Sequence, residues 1–138
     1  MIRVIFDTNV LLDVLAERRN FYIASAQALD TATKLQVQGY IAGHAVTTLY
    51  YLLSRQVGKR PARRHLSRLL QRLQVASVTG EVIEAALQGP IKDFEDAVVS
   101  EAANAAGVEV IVTRNISDFV ASAIPAVLPE EFLKMPLK

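Results

Sequence analysis

Three aspartates are the first candidates for chemistry in this chain. Asp7 closes an almost wholly apolar run over residues 1–6. Asp96 lies near the start of a predicted helix, and Asp118 lies in a loop after the apolar run of residues 110–112. Because the chain has no cysteine and only two histidines, any bound metal would have to be held by oxygen ligands. Carboxylates supply such oxygens.

The same aspartates also have ordinary structural interpretations. In residues 93–96 (DFED), Asp93 is three positions before Asp96, which approximates a capping box, and acids in a first helical turn complement the helix dipole. Asp118 suits a turn, and Asp7 suits the cap of the first helix. Capping and chemistry therefore both stay open at these positions.

The elements that would position these acids alternate between strands and helices. Short apolar runs predict strands at residues 1–6, 40–42, 75–78, 110–112 and 126–128. Helical spacing of apolar residues predicts helices at residues 10–15, 21–37 (ended by Gly39), 46–57, 61–73, 80–87 and 93–106, with a short last helix from Pro129. This alternation predicts an α/β fold with a mostly parallel sheet of roughly five strands. The carboxyl ends of such strands bring the three aspartates to one edge.

Composition restricts the class of protein. With 138 residues and 51% hydrophobic content, we expect a single domain over residues 1–138 with a sizeable core. No uninterrupted apolar stretch approaches 18 residues, and the N-terminal apolar run is too short for a signal peptide. We therefore expect a cytoplasmic protein without a membrane span. The absence of cysteine excludes disulfides and thiolate metal sites.

A basic segment occupies the middle of the chain, although the formal net charge is only +1. No Asp or Glu occurs between Asp30 and Glu81, whereas eight Lys and Arg residues lie there. Four arginines recur at every fourth position of the predicted fourth helix: Arg60, Arg64, Arg68 and Arg72. This row is a candidate track for an RNA backbone. A solvated face of an amphipathic helix and a docking surface for an acidic partner are the alternatives.

Three segments together resemble the PIN-domain family of metal-dependent ribonucleases, particularly the small bacterial and archaeal members that act as toxins of toxin–antitoxin pairs. The segments are residues 5–13 (IFDTNVLLD), 93–97 (DFEDA) and 113–119 (TRNISDF). Their order and separations agree with the family over nearly the whole chain. The resemblance implies a three-layer αβα sandwich.

The resemblance also implies roles for individual residues. Asp7, Asp96 and Asp118 would be the catalytic acids and the ligands of Mg²⁺ or Mn²⁺, cations that prefer oxygen ligands. Four polar neighbours would support them: Asn9 holding Asp7, Asp93 as an additional acid, Thr113 orienting the site, and Asn115 contributing an oxygen. The implied partners are an RNA substrate, an antitoxin protein and a second copy of the chain in a homodimer.

One position departs from the family. Many members carry a glutamate on the helix after the second strand, in a Thr-Leu-x-Glu-Leu context. Here the corresponding residues 48–52 read TLYYL, so Tyr51 stands at the position of that glutamate. A phenol is a poor ligand for Mg²⁺. The predicted site therefore has three acids instead of four.

Three functions follow from these observations. The leading hypothesis is a ribonuclease in which a carboxylate-bound ion activates water to attack an RNA phosphodiester. The second is a catalytically weak or inactive PIN-like module that binds RNA or a partner protein, because of Tyr51. The third is a phosphatase that forms an aspartyl-phosphate on Asp7, although Asn9 stands where such an enzyme would want a second acid.

Overall fold

A five-stranded parallel sheet forms the centre of the protein in the computed structural model, which describes residues 1–137. The strands are β1 (Arg3–Phe6), β2 (Gln38–Ala42), β3 (Gln74–Ala76), β4 (Val110–Val112) and β5 (Ala126–Val127). They lie in the order β3-β2-β1-β4-β5, and every neighbouring pair is parallel. In the central register, Ile5 pairs with Tyr40 on one side and Ile111 on the other.

Within residues 1–137, seven helices flank the sheet. They are α1 (Thr8–Leu15), α2 (Tyr22–Thr33), α3 (Gly43–Val57), α4 (Lys59–Leu69), α5 (Gly80–Gln88), α6 (Phe94–Ala105) and α7 (Pro129–Phe132), and a 3₁₀ turn spans Ile116–Phe119. The crossovers through α1–α4 move along the sheet from β1 to β3, whereas α5 and α6 return to β4. Because such crossovers are right-handed, the two groups of helices cover opposite faces of the sheet. The predicted α/β fold with a parallel five-stranded sheet is confirmed.

The core lies on both faces of the central strands. Val4, Ile5 and Ile111 are fully buried, as expected for a parallel sheet covered by helices on both sides. Phe6 packs edge-on against Phe132 of α7, with ring centroids 6.4 Å apart. Among residues 1–137, no helix combines the length and the apolar character needed to cross a membrane.

Helix α2 ends earlier than the sequence predicts. Its last residue is Thr33, and Leu35 adopts a positive φ of 58° in the turn that follows. The predicted stop at Gly39 is wrong, because Gly39 lies inside β2. A Cβ at this glycine would lie 2.6 Å from Leu73 and 2.8 Å from Ala32. The glycine therefore permits a close approach of neighbouring elements instead of ending a helix.

Helix α4 is also shorter than predicted. It ends at Leu69, and the amide of Arg72 bonds to the Leu69 carbonyl in the turn before β3. The predicted row of four arginines on one helix is therefore wrong at Arg72. Arg60, Arg64 and Arg68 lie on the helix, and all four side chains are exposed.

Candidate active site

Asp7 lies at the carboxyl end of β1, where the strand passes directly into α1. Its Oδ1 accepts a hydrogen bond from the Thr8 amide at 2.9 Å, which caps the helix. Its Oδ2 accepts a hydrogen bond from Thr113 Oγ1, also at 2.9 Å, across more than a hundred residues of sequence. Only 6% of Asp7 is exposed. The Asp7 carboxylate is therefore fixed by one local and one long-range donor.

Burial raises the pKa of Asp7 above its ordinary value of 3.8. The hydrogen bonds from Thr113 and Thr8 oppose this shift, while the negative charges of Glu95 and Asp118 add to it. These two acids come from α6 and from the 3₁₀ turn after β4. Asp7 therefore lies within electrostatic range of acids from two other elements.

The amino end of α6 carries the second group of acids. Asp93 Oδ1 caps the helix by accepting a hydrogen bond from the Asp96 amide at 3.0 Å. Partial burial, followed by the charges of Asp7, Asp93, Asp118 and Glu95, raises the pKa of Asp96 to about 7. Asp96 therefore shares one negative region with the other acids.

Asp118 lies on the exposed side of the 3₁₀ turn, one residue before the buried Phe119. Its amide donates to the Asn115 carbonyl at 3.0 Å, and the Asn115 amide donates to Thr113 Oγ1 at 3.0 Å. The Thr113 hydroxyl thus connects Asp7 to the segment that carries Asp118. Asn9 is half-buried on α1, and the bonds to the Asp7 carboxylate among the described residues come from Thr8 and Thr113.

The chemistry of these donors fits a hard divalent cation. Carboxylates that raise each other's pKa are relieved when a cation binds between them. The buried Thr8 Oγ1 beside Asp7 also has no hydrogen-bond partner within residues 1–137. In the same part of the chain, no three acidic or histidine side chains lie close enough together to hold one ion at once.

Tyr51, at the predicted glutamate position, faces the solvent. Its side chain is 59% exposed, and the guanidinium carbon of Arg55 lies 5.6 Å from its ring centroid. The contact from α3 to the acidic region comes instead from His44, whose Nε2 donates to the Glu95 carbonyl at 3.1 Å. The sequence offered no signal for this contact, because a single histidine beside a glycine indicates nothing specific.

The sequence also did not predict a buried ion pair, which Asp13 forms with Arg114. Asp13, on α1, is fully buried. Arg114 Nε donates to Asp13 Oδ2 at 2.8 Å, and Arg114 Nη2 donates to Oδ1 at 3.2 Å. The only sequence signal was a charged residue on the apolar face of a short helix, which requires a partner when buried.

The basic helix α4 packs beside the first turns of α3. The two helices enclose a groove of about 380 Å³ lined by Val46, Thr47, Tyr50, Arg63, Leu66 and Ser67. The guanidinium carbon of Arg63 lies 5.9 Å from the centroid of the Tyr50 ring. Thr47 is only one helical turn from His44, so the groove begins about 5 Å along the helix from the residue that contacts α6.

A family model described as the PIN domain matches residues 3–117 of the chain. No curated protein sequence matches this chain. The DNA-bound VapBC structure from Salmonella typhimurium is similar, with a TM-score of 0.71 and 16% identity, covering 94% of this chain and 99% of that chain.

Two further solved structures are similar. A toxin–antitoxin complex from Klebsiella pneumoniae has a TM-score of 0.69 and 24% identity, covering 91% of this chain and 97% of that chain. VapC20 of Mycobacterium tuberculosis, a toxin that cleaves the sarcin–ricin loop, has a TM-score of 0.63 and 16% identity, covering 78% and 86%. At these identities the similarity establishes the shared fold.

Proposed function

The chain belongs to the PIN-domain family, and we propose that it is a Mg²⁺- or Mn²⁺-dependent endoribonuclease that acts in the cytoplasm as the toxin of a toxin–antitoxin pair. One observation carries the proposal. Partial burial, followed by the charges of Asp7, Asp93, Asp118 and Glu95, raises the pKa of Asp96 to about 7, so acids from three separate elements lie within electrostatic range of one another. The raised pKa costs the fold stability at neutral pH, and clustered carboxylates with raised pKa values are typical of cation sites.

Each acid has a distinct part in the proposed site. Asp7 is the fixed ligand, because two hydrogen bonds hold its carboxylate in place. Asp96 and Asp118 both reach solvent and would turn toward Asp7 to complete the ligand set. A bound Mg²⁺ or Mn²⁺ would lower the pKa of a water molecule and stabilise charge on the phosphate.

The Asp96 carboxyl group would exchange a proton when the site is loaded. With a pKa of about 7, it is partly protonated near neutral pH. It must lose that proton before both of its oxygens can serve a cation. Asn115 would contribute an amide oxygen, and Asp93 would add negative charge while it caps α6.

Cleavage by purified protein tests the proposal. We expect Mn²⁺-dependent cleavage of single-stranded RNA that EDTA abolishes, and at least a hundredfold loss in Asp7→Asn and in Asp96→Asn. Glu109→Gln is the matched control, because it removes one exposed acid before the amino end of β4. Equal cleavage by wild type, both site variants and the control contradicts the mechanism.

The proposed path of the RNA runs along α4 toward the acids. Arg60, Arg64 and Arg68 form no ion pair with any residue from 1 to 137, so their charge is available to phosphates. The adjoining groove offers the Tyr50 ring and the Arg63 guanidinium, which suit stacking with an unpaired base. Arg72 lies beyond the helix and would contact the strand only at its far end.

Salt dependence of RNA binding tests this path. The triple variant Arg60→Gln/Arg64→Gln/Arg68→Gln should bind RNA more weakly and reduce the slope of log K against log salt by about 2, since each contact with a single strand contributes about 0.7. The control removes three exposed basic residues that lie outside α4 and form no ion pair with residues 1–137: Arg3, Arg19 and Lys134. An equal reduction in the control triple would mean that binding depends on total charge alone.

The proposal includes an antitoxin and a homodimer. The similar structures from Salmonella typhimurium and Klebsiella pneumoniae are toxin–antitoxin assemblies. Here a cavity of about 320 Å³ is lined by two acids, Asp93 and Asp118, by one base, Lys92, and by the apolar Ile91 and Val120, so its charged lining is net acidic. This surface suits a segment with one basic and several apolar side chains. Co-purification with the product of a neighbouring short reading frame tests the antitoxin, and light scattering tests the dimer.

The second candidate function is a PIN-like module that binds RNA or a partner without cleaving it. The observation that favours it is Tyr51, which lies exposed where many relatives carry a glutamate. Calorimetry with Mn²⁺ separates the two functions. Binding at micromolar to millimolar Mn²⁺ that Asp7→Asn removes supports the nuclease, whereas the absence of binding supports the module.

A further inference from the structure

We propose that the ion pair between Arg114 and Asp13 positions the segment of residues 113–118 against Asp7, so that Arg114 is a positioning residue of the candidate active site. Asp13 and Arg114 lie outside the set of acids that would bind the cation. The inference deepens the proposed function and rests on it for the activity measurements alone.

The pair is built for fixed geometry. Two hydrogen bonds join the planar guanidinium to the two carboxylate oxygens, at 2.8 and 3.2 Å, and Asp13 is fully buried. Ser25 Oγ, on α2, donates a third hydrogen bond to Asp13 Oδ2 at 3.1 Å. The ring of Phe21 covers the guanidinium at 4.0 Å. The Arg114 side chain therefore has one well-defined position.

Arg114 lies between the two residues that connect β4 to the acids. Thr113, on its amino side, donates to Asp7 Oδ2. Asn115, on its carboxyl side, accepts from the Asp118 amide through its carbonyl and donates its own amide to Thr113 Oγ1. A displacement of Arg114 must therefore move the partner of Asp7 and the support of Asp118 together.

Asp13, the partner of Arg114, is held in an equally rigid element. Asp13 lies on α1, the helix that Asp7 caps, so both carboxylates belong to one short rigid unit. The segment after β4 meets this unit at two points: the Thr113 hydroxyl on Asp7 and the Arg114 guanidinium on Asp13. Two points of attachment fix orientation, which a single hydrogen bond does not.

A double variant separates positioning from stability. Arg114→Met alone leaves the buried Asp13 carboxylate with only the Ser25 hydroxyl and the Arg18 guanidinium at 3.9 Å, and is expected to destabilise the protein strongly. Asp13→Leu/Arg114→Met removes both charges and fills the space with apolar groups, which keeps the fold stable. We expect this variant to melt near the wild-type temperature, to show wild-type KM for RNA, and to lose about 100-fold in kcat.

Amide hydrogen exchange in the absence of metal gives a readout that does not depend on cleavage. NMR should show at least tenfold faster exchange at the Asn115 and Asp118 amides of the double variant, with unchanged exchange in β1. Arg18→Met is the control, because Arg18 Nη1 lies 3.9 Å from Asp13 but belongs to another segment. The control should keep wild-type exchange and wild-type kcat.

The outcomes distinguish the two proposals. Faster exchange together with reduced kcat supports the positioning role. Unchanged exchange at both amides overturns it, and so does faster exchange with wild-type kcat. If the wild-type protein cleaves no RNA at all, the proposed function fails, while the exchange measurement still decides whether the ion pair holds the segment.

Discussion

Removing the charge of Asp96 should stabilise the protein in the absence of metal. The pKa of this carboxyl group is raised from 3.8 to about 7, first by burial and then by the charges of neighbouring acids. A raised pKa means that the folded state resists ionisation of the group. Asp96→Asn keeps the size and the backbone amide that Asp93 caps, and it removes only the unfavourable charge.

The expected gain in free energy of unfolding for Asp96→Asn follows from proton linkage. Below pH 3.8 the group is protonated in the folded and unfolded states, so it costs no stability there. As the pH rises from 3.8 to about 7, the unfolded state loses the proton first and the folded state is progressively destabilised. At full strength this shift corresponds to about 4 kcal/mol. Because solvent screens the half-exposed carboxylate, we expect about 1–2 kcal/mol at pH 8.

Urea unfolding in EDTA measures the effect. The difference in free energy of unfolding between Asp96→Asn and wild type should be about 1–2 kcal/mol at pH 8 and should shrink steadily toward pH 4. Glu109→Gln is the control, since it changes the net charge equally but lies outside the acidic region. Its free energy of unfolding should stay within about 0.5 kcal/mol of wild type at every pH.

Two results would contradict this prediction. If Asp96→Asn is no more stable than wild type at pH 8, the ionised Asp96 carboxylate does not destabilise the folded state. If the stabilisation is the same at pH 4 and pH 8, its cause is not ionisation. Excess Mn²⁺ should reverse the order at pH 8, because it binds the wild-type site and stabilises that protein by linkage.

Three further predictions follow from the same geometry. Binding of Mn²⁺ near pH 7 should release about half a proton from Asp96, a release that calorimetry in buffers of different ionisation enthalpy detects and that vanishes in Asp96→Asn. Thr113→Val should cost about 1–3 kcal/mol of stability and weaken Mn²⁺ binding, because it removes the donor to Asp7, whereas Thr113→Ser should retain both. Gly39→Ala should cost about 1–3 kcal/mol in urea unfolding, because its Cβ meets Leu73 and Ala32 below 3 Å.

The carboxyl ends of β1 and β4 could be predicted because the sequence pattern that marks each of them is local. An apolar run followed by Asp7, and another followed by Thr113, indicate buried parallel strands whose carboxyl ends meet at one edge. Their contact at 2.9 Å follows from that topology. The order of the strands was not predicted, because right-handed crossovers decide which face of the sheet a helix covers and leave the strand order open.

The ion pair and the helix ends could not be predicted for a different reason. Asp13 and Arg114 are 101 residues apart, and the local sequence around either residue does not predict its partner. Helix α2 ends without a breaker in its sequence, because the Gln38 amide must pair with the Ile2 carbonyl at the start of the sheet. At the end of α2, tertiary pairing overrides local helix propensity.

Capping and metal binding are not competing explanations for Asp7. An ionised carboxylate has about four lone-pair sites. The Thr8 amide uses one on Oδ1 and the Thr113 hydroxyl uses one on Oδ2, which leaves a free lone pair on each oxygen. The two hydrogen bonds favour the ionised form that a cation needs, against the burial that opposes it. The cap on α1 is therefore compatible with the proposed role of Asp7 as a ligand, and the cap that Asp93 forms on α6 likewise leaves the Asp96 carboxylate free for that proposed role.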